Sequence, residues 1–148
     1  MADYRPSHFG ICVCDLDRSL RFFCDGLGFE PAEGFELDST AAAGLERSLE
    51  VPGPVRIMSQ FIQNDTMKIE LLHFFEPGVG GTPSATRNQV GMTHLSFYVD
   101  DLDAATEHLV DCGATVVEGT RASPGIDLLF LADPDGVRVE LMAIPAPA

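Results

Sequence analysis

The fold is decided by a stretch that occurs twice in the chain. Its second copy, residues 91–103, reads Gly91-Met92-Thr93-His94-Leu95-Ser96-Phe97-Tyr98-Val99-Asp100-Asp101-Leu102-Asp103. Its first copy, residues 8–17, reads His8-Phe9-Gly10-Ile11-Cys12-Val13-Cys14-Asp15-Leu16-Asp17. The copies align on their histidines, from position 8 to position 94, and both end in Asp-Leu-Asp. The sequence therefore predicts two related modules.

Both copies alternate with the period of a β-strand, so successive side chains point to opposite faces. In the second copy one face carries His94, Ser96 and Tyr98. The other face carries apolar residues and is suited to packing under a helix. The histidine of each copy is thus predicted to lie on the face away from that helix.

Composition limits the classes of function that the chain can have. With 148 residues and 45% hydrophobic side chains, it is long and apolar enough to bury a core of one domain or of two small modules. A formal charge of −14 disfavours nucleic acid and anionic membranes as partners, because both attract clustered lysine and arginine. We predict a cytoplasmic protein with free cysteines, because neither a signal peptide nor a membrane span is visible.

Each module is predicted to run strand, helix, strand, strand, strand. The first module (residues 1–75) begins its helix after Asp17 as the N-cap and carries a short inserted helix at 41–49. A linker rich in glycine and proline (76–90) separates it from the second module (91–145). There the helix is predicted near 103–112 and the last strand at 137–142.

Two histidines and two glutamates are the candidate metal ligands. In each module the first strand offers a histidine and the last strand a glutamate on the face away from the helix: His8 with Glu70, and His94 with Glu140. Two imidazoles and two carboxylates suit Zn, Ni, Co, Mn or Fe(II). Four such ligands on one six-coordinate ion would leave two positions for a small-molecule substrate that chelates through oxygen. Glu70 or Glu140 could then remove a proton beside that oxygen.

Other side chains on the same faces are predicted to line the substrate pocket. They are Cys12, Lys68, Leu72, Ser96, Tyr98, Arg138 and Met142. His73 and His108 fall elsewhere and are not expected to be ligands. An anionic substrate would need Arg5, Arg56, Arg87, Arg121 or Arg138, but the sequence shows neither a basic cluster nor a phosphate-binding glycine loop.

Together these motifs resemble the vicinal oxygen chelate superfamily, which includes glyoxalase I, methylmalonyl-CoA epimerase, extradiol dioxygenases, and fosfomycin and bleomycin resistance proteins. The resemblance lies in His8-Phe9-Gly10-Ile11, Asp15-Leu16-Asp17, Ile69-Glu70-Leu71-Leu72, residues 91–97 and residues 133–141. It implies an α+β fold of two βαβββ modules that form a cupped mixed β-sheet with helices on the outer face.

The resemblance also ranks the possible functions. Glyoxalase I and the epimerase use His, Glu or Gln, His and Glu at the four places that this chain fills, which implies a metal-dependent isomerase, epimerase or lyase with Glu140 as the base. Two alternatives stay open: an Fe(II)-dependent ring-cleaving dioxygenase, and a metal-independent binding protein of the bleomycin resistance type. A homodimer is expected, with the modules paired either within one chain or across two.

Overall fold

The structure is a computed structural model that describes residues 3–123 and 125–143. The first module contains β1 (Phe9–Cys12), α1 (Leu16–Leu20) continuing into a π-helical segment (Arg21–Gly26), β2 (Glu30–Asp38), α2 (Leu45–Ser48), β3 (Arg56–Gln63) and β4 (Lys68–Glu76). The second contains β5 (Leu95–Val99), α3 (Leu102–Asp111), β6 (Thr115–Val116), β7 (Leu128–Ala132) and β8 (Arg138–Ala143). The predicted α+β fold of two βαβββ modules is confirmed. The predicted modules also include residues 1, 2, 124, 144 and 145, which lie outside the described residues.

The two modules form sheets of identical topology. The strand orders are β1-β4-β3-β2 and β5-β8-β7-β6, and in each sheet the first strand runs parallel to the last. Gly10 lies opposite Glu70 in one sheet, and Ser96 lies opposite Glu140 in the other. Because each histidine precedes that position by two residues, it lies on the same sheet face as the glutamate.

Both main helices begin earlier than predicted: α1 by two residues, and α3 at Leu102, one residue before the predicted start. Asp15, with extended backbone, accepts a hydrogen bond from the backbone N–H of Arg18, and Asp101 accepts one from Ala104. The prediction of Asp17 as the N-cap is therefore wrong. A capping side chain must reach the N–H three residues on from an extended backbone, whereas Asp17 already lies within the first turn.

The inserted helix is shorter than predicted. Residues 41–44 form turns, and only Leu45–Ser48 are helical. Gly44 has a φ of 85°, a left-handed conformation that cannot continue a right-handed helix. The alanines before it favour a helix intrinsically, but the glycine marks where the helix can begin.

One hydrophobic core joins the modules through their helices. Phe22 and Phe23 are fully buried beside Leu109 of α3, and the ring of Phe29 meets that of Phe97 edge-on, with centroids 6.2 Å apart. The imidazole Nε2–H of His108 donates to the carbonyl of Asp25 at 2.9 Å, which joins α3 to the π-helical segment. The helix-covered face of each sheet is therefore turned toward this shared core.

The histidine-bearing faces consequently lie on the far sides of the two sheets from the core. In the first sheet Ile69 and Leu71 are buried beneath the helices, while Glu70 between them points the other way. In the second sheet Val139 and Leu141 are likewise buried, and Glu140 between them points away from the helices. None of the helices within residues 3–123 and 125–143 is long and apolar enough to cross a membrane.

Candidate metal centre

His8 and Glu70 form the first half-site. The imidazole Nε2 of His8 lies 3.2 Å from Oε2 of Glu70, and the two side chains are 35% and 19% exposed. The parallel pairing of β1 with β4 produces this contact, because it places Glu70 beside Gly10, two residues beyond the histidine. The pair predicted from sequence thus meets at the sheet surface, partly screened from solvent.

His94 and Glu140 form the second half-site in the same way. The imidazole Nε2 of His94 lies 3.6 Å from Oε2 of Glu140, with side-chain exposures of 34% and 13%. Ser96 takes the place of Gly10 opposite the glutamate. The two half-sites are therefore related by the internal repeat, down to the ring nitrogen and the carboxylate oxygen involved.

Each histidine is also held through its second ring nitrogen by the hydroxyl of the preceding residue. Ser7 Oγ lies 2.9 Å from Nδ1 of His8, and Thr93 Oγ1 lies 2.8 Å from Nδ1 of His94. When Nδ1–H donates to the hydroxyl oxygen, Nε2 keeps its lone pair, as a metal-binding imidazole requires. The offset that aligns the histidines also aligns Ser7 with Thr93, so the repeat could have revealed this pair.

Serine hydroxyls orient the two carboxylates. Ser59 Oγ donates to Oε1 of Glu70 at 2.5 Å, and Ser96 Oγ donates to Oε2 of Glu140 at 2.7 Å. Both oxygens of Glu70 therefore have partners, one in Ser59 and one in His8. In Glu140 both contacts fall on Oε2, so Oε1 has no hydrogen bond to a described residue. The half-sites thus differ in how freely their carboxylates can move.

A phenylalanine ring backs each histidine. The rings of His8 and Phe61 meet edge-on with centroids 5.1 Å apart, and those of His94 and Phe130 meet similarly at 5.2 Å. Both phenylalanines lie directly opposite the glutamates on the neighbouring strand. The sequence pattern does not reveal them, because it does not fix the register of β3 on β4 or of β7 on β8, and that register decides which residue faces each glutamate.

The donor atoms of each half-site are spaced as metal ligands. Two ligands at about 2.1 Å from one ion lie about 3.0–3.4 Å apart in octahedral or tetrahedral geometry. The observed 3.2 Å and 3.6 Å separations are close to that range. One such contact would be explained by an ordinary ion pair. Its repetition, with the same hydroxyl and aromatic neighbours, favours a metal-binding role.

The half-sites do not meet within one chain. In residues 3–123 and 125–143, histidine, cysteine, aspartate and glutamate side chains form no group of three or more that could hold a metal. This separation follows from the fold, because the helices between the sheets turn the two histidine-bearing faces away from each other. The single concave surface predicted to gather all four ligands is thus not formed by one chain.

The predicted pocket residues fall into different surroundings. Ser96 contacts Glu140, and Lys68 lies beside the first half-site in a cavity of about 470 Å³, with its ammonium 2.5 Å from a Glu33 carboxylate oxygen. Cys12 lines another cavity with Cys14 and Asp135, and Tyr98 lines one beside α3. Leu72 and Met142 are half-buried opposite Cys12 and Tyr98. A pocket role for these residues stays a prediction.

Arg138 shares a cavity of about 510 Å³ with the second half-site, which we call the arginine cavity. It is lined by Ala85, Arg87, Thr93, His94, Val117, Thr120, Phe130 and Arg138. The pKa of Arg138 is lowered, first by burial and second by the positive charge of Arg87. The structure therefore brings together two arginines that lie far apart in the sequence, where no basic cluster is visible.

A family model described as "Glyoxalase/Bleomycin resistance protein/Dioxygenase superfamily" matches residues 5–141, a span that contains both half-sites. The chain belongs to this superfamily. Within it, the chain is 33% identical over 137 residues to the uncharacterized protein YaeR of Escherichia coli (strain K12), covering 90% of this chain and 92% of that protein. It is 27% identical over 160 residues to the 2-epi-5-epi-valiolone epimerase of an Actinomyces species, covering 95% and 80% respectively.

A solved structure supports the superfamily fold. The crystal structure of a glyoxalase family protein from Bacillus cereus superposes with a TM-score of 0.79 at 21% sequence identity, covering 97% of this chain and 95% of that one. At this identity the likeness concerns the fold alone. The arrangement of both modules is thus one that the superfamily adopts.

Proposed function

We propose that the protein is a metal-dependent isomerase, epimerase or lyase that transfers a proton on a small oxygenated substrate. The observation that carries this proposal is that each half-site contains a glutamate. Both half-sites pair a histidine with a carboxylate at metal-ligand spacing, so the chain offers two imidazoles and two carboxylates. The similarity to an epimerase over most of the chain supports the same chemistry.

The complete centre requires a second copy of the chain in this proposal. His8 and Glu70 of one copy would meet His94 and Glu140 of the other. A two-fold axis that forms one such centre forms the other as well, because each copy contributes both half-sites. The outward orientation of the half-sites on the two sheets supports this arrangement over closure within a single chain.

In the proposed mechanism Glu140 is the general base. A divalent ion held by the four ligands would act as a Lewis acid on a substrate oxygen and acidify the neighbouring C–H. Oε1 of Glu140, which has no hydrogen bond to a described residue, is available to take that proton, while Ser96 holds the other oxygen. Glu70 has partners on both oxygens and is the more tightly fixed carboxylate.

Return of the proton decides the reaction class. If Glu140 delivers the proton to the adjacent carbon, the result is an isomerisation. If the proton reaches the opposite face of the same carbon, the result is an epimerisation, for which Glu70 is the second proton carrier.

Metal content tests the proposal directly. The purified protein is expected to contain a stoichiometric divalent metal, and His94→Ala is expected to lose it while circular dichroism remains unchanged. His73→Ala is the matched control, because that imidazole contacts the carbonyl of Val13 instead of a carboxylate. Unchanged metal in His94→Ala, with His73→Ala equal to it, would refute the proposed centre.

Substrate panels then separate the reaction classes. The metal-loaded protein would be incubated in D₂O with thiohemiacetals, acyl-CoA thioesters and catechols. Exchange of a substrate C–H for deuterium without oxygen uptake supports proton transfer. Oxygen consumption with a catechol would instead identify a dioxygenase, and ligand binding by a protein that never takes up metal would identify a binding protein.

A further inference from the structure

Most cations of this acidic chain are neutralised by a carboxylate. Of the nine lysine and arginine side chains, five lie within 4 Å of an aspartate or glutamate oxygen: Arg5, Arg18, Arg56, Lys68 and Arg121. Of the remaining four, Arg21 donates to the backbone carbonyl of Asp111, and Arg47 is exposed on the surface. The last two, Arg87 and Arg138, both line the arginine cavity.

These two arginines lack counter-charges within the part of the chain that the structure describes. Among the described residues, the Arg87 guanidinium makes one hydrogen bond, from Nε to the carbonyl of Ala85 at 3.4 Å, and Arg138 makes none to a side chain or carbonyl. With 23 acidic residues in the chain, a carboxylate partner would be easily supplied. Two like charges that share one cavity repel each other, and an anion between them reverses that cost.

The loop that carries Arg87 is internally ordered. Ser84 Oγ accepts from the backbone N–H of Thr86 at 3.1 Å and donates toward Oε1 of Gln89 at 2.7 Å. These contacts fix the chain on both sides of the arginine. Arg87 is thus presented by a defined turn to the cavity that Thr93 and His94 also line.

The first half-site provides an internal comparison. Lys68 precedes Glu70 by two residues, as Arg138 precedes Glu140, so the two cations occupy equivalent positions on the last strands. The Lys68 ammonium is 2.5 Å from Glu33 and 4.6 Å from the ring centroid of Phe61. The positive charge of Lys68 is thus already paired with a carboxylate of the protein. The charge of Arg138 has no such partner among the described residues and remains available to an anion.

We propose that Arg87 and Arg138 bind an oxyanion of the substrate, a carboxylate or a phosphate group, in the arginine cavity beside the second half-site. Guanidinium groups match both kinds of oxyanion through paired N–H donors. This inference rests on the proposed function, in which the reacting end of the same substrate lies at the metal. The substrate class is then an anionic molecule whose charged group lies in the arginine cavity beside His94 and Thr93.

Anion binding can be measured without metal or turnover. Full-length protein treated with a chelator would be titrated with inorganic phosphate and, separately, with acetate at low ionic strength by calorimetry. Wild type is expected to bind at least one of them. Arg87→Gln and Arg138→Gln are each expected to weaken that binding about tenfold or more, because a charge-assisted contact is lost. Binding of phosphate but not acetate indicates a phosphorylated substrate, and the reverse indicates a carboxylate.

Controls separate this proposal from loss of fold or general loss of charge. Arg47→Gln removes one positive charge from an exposed helix and is expected to bind as wild type does. Arg138→Lys keeps the charge without the planar fork and is expected to retain part of the affinity. Failure of the wild type to bind either anion, or binding by both glutamine variants as strong as that of wild type, would overturn the proposal.

The same variants distinguish its failure from failure of the proposed function. Both glutamine variants are expected to take up as much metal as wild type. His8→Ala, whose side chain does not line the arginine cavity, is expected to lose metal yet bind the anion. Normal metal uptake by a wild type that binds no anion would refute the arginine proposal alone. Anion binding by a wild type that takes up no metal would leave the arginine cavity standing and remove the metal centre.

Discussion

At the scale of single residues, the candidate centre depends on what holds each imidazole. A histidine can bind a metal through Nε2 only if that nitrogen is unprotonated and correctly aimed, and the partner of Nδ1 determines both. Ser7 and Thr93 supply that partner in the two half-sites. A hydroxyl that is not itself a metal ligand should therefore control metal affinity.

Thr93→Ala tests this role. The variant is expected to bind divalent metal about tenfold more weakly than wild type, because the ring of His94 loses the contact that fixes its orientation. Thr93→Ser keeps a hydroxyl and is the matched control. Both proteins would be titrated with Co²⁺ and followed by absorption. Equal affinity in Thr93→Ala and Thr93→Ser would show that the hydroxyl does not matter.

The four candidate ligands could be predicted because two short-range patterns converge on them. Strand alternation assigns His8 and Glu70 to one face, and the repeat supplies their equivalents His94 and Glu140. Phe61 could not be found in this way. Its contact with His8 depends on how three strands align, which sequence periodicity does not specify.

The arginine cavity shows the same limit over a longer distance. Arg87 lies in a loop and Arg138 in the last strand of the module, and nothing in either local sequence indicates that they meet. Their proximity is a consequence of the tertiary structure. The sequence shows that lysine and arginine are few, but it does not show that Arg87 and Arg138 lie together in the fold.

At the scale of secondary-structure elements, the π-helical segment and α3 pack so closely that one glycine is required. A Cβ atom added to Gly26 would lie 2.9 Å from Cδ2 of Leu109 and 3.2 Å from Cβ of Cys112. The Leu109 methyl group can move aside, but the Cys112 Cβ moves only with its helix. This contact is where the modules join.

Gly26→Ala is therefore expected to lower the free energy of unfolding by about 1–2 kcal/mol through overpacking. Gly80→Ala is the matched control, since an added Cβ meets nothing within 4 Å there, and it should change stability by less than about 0.5 kcal/mol. Urea denaturation followed by circular dichroism measures both. Equal stability of the two variants would mean that the helix contact accommodates the methyl group freely.

The turn between β7 and β8 contains a buried acid. Asp133 is 3% exposed, and its Oδ1 accepts from the backbone N–H groups of Asp135 and Val137 at 2.9 and 2.8 Å. Its Oδ2 is buried without a partner among the described residues. Burial raises the pKa of this carboxyl above its usual range, although the two backbone donors oppose the shift.

Because the pKa of Asp133 is raised in the native state, its contribution to stability should fall as the pH rises. The native state holds the Asp133 proton more tightly than the unfolded state does. The resulting stabilisation is fully present below about pH 3.8 and is lost as the pH rises through the native pKa. Relative to Asp133→Asn, which cannot ionise, wild type should lose stability from acidic to neutral pH in urea titrations. A difference independent of pH would contradict the assignment.

At the scale of the whole molecule, the arrangement of two modules explains why the half-sites do not meet within the described residues of one chain. Their helices meet in a shared core, so their histidine-bearing faces point away from each other. The same packing that stabilises the chain thus leaves two half-sites on opposite sides. A two-fold dimer that joins unlike half-sites would form two complete centres from two incomplete chains.

Subunit mixing distinguishes centres shared between chains from centres within a chain. His8→Ala and His94→Ala chains are each expected to bind no metal alone. In a shared arrangement, a mixed dimer joins the intact first half-site of the His94→Ala chain to the intact second half-site of the His8→Ala chain. After unfolding and refolding the two together, half of the dimers are mixed and each has one intact centre. Metal content should therefore recover to about one quarter of wild type. Centres within single chains would recover nothing, because every chain in the mixture lacks one histidine.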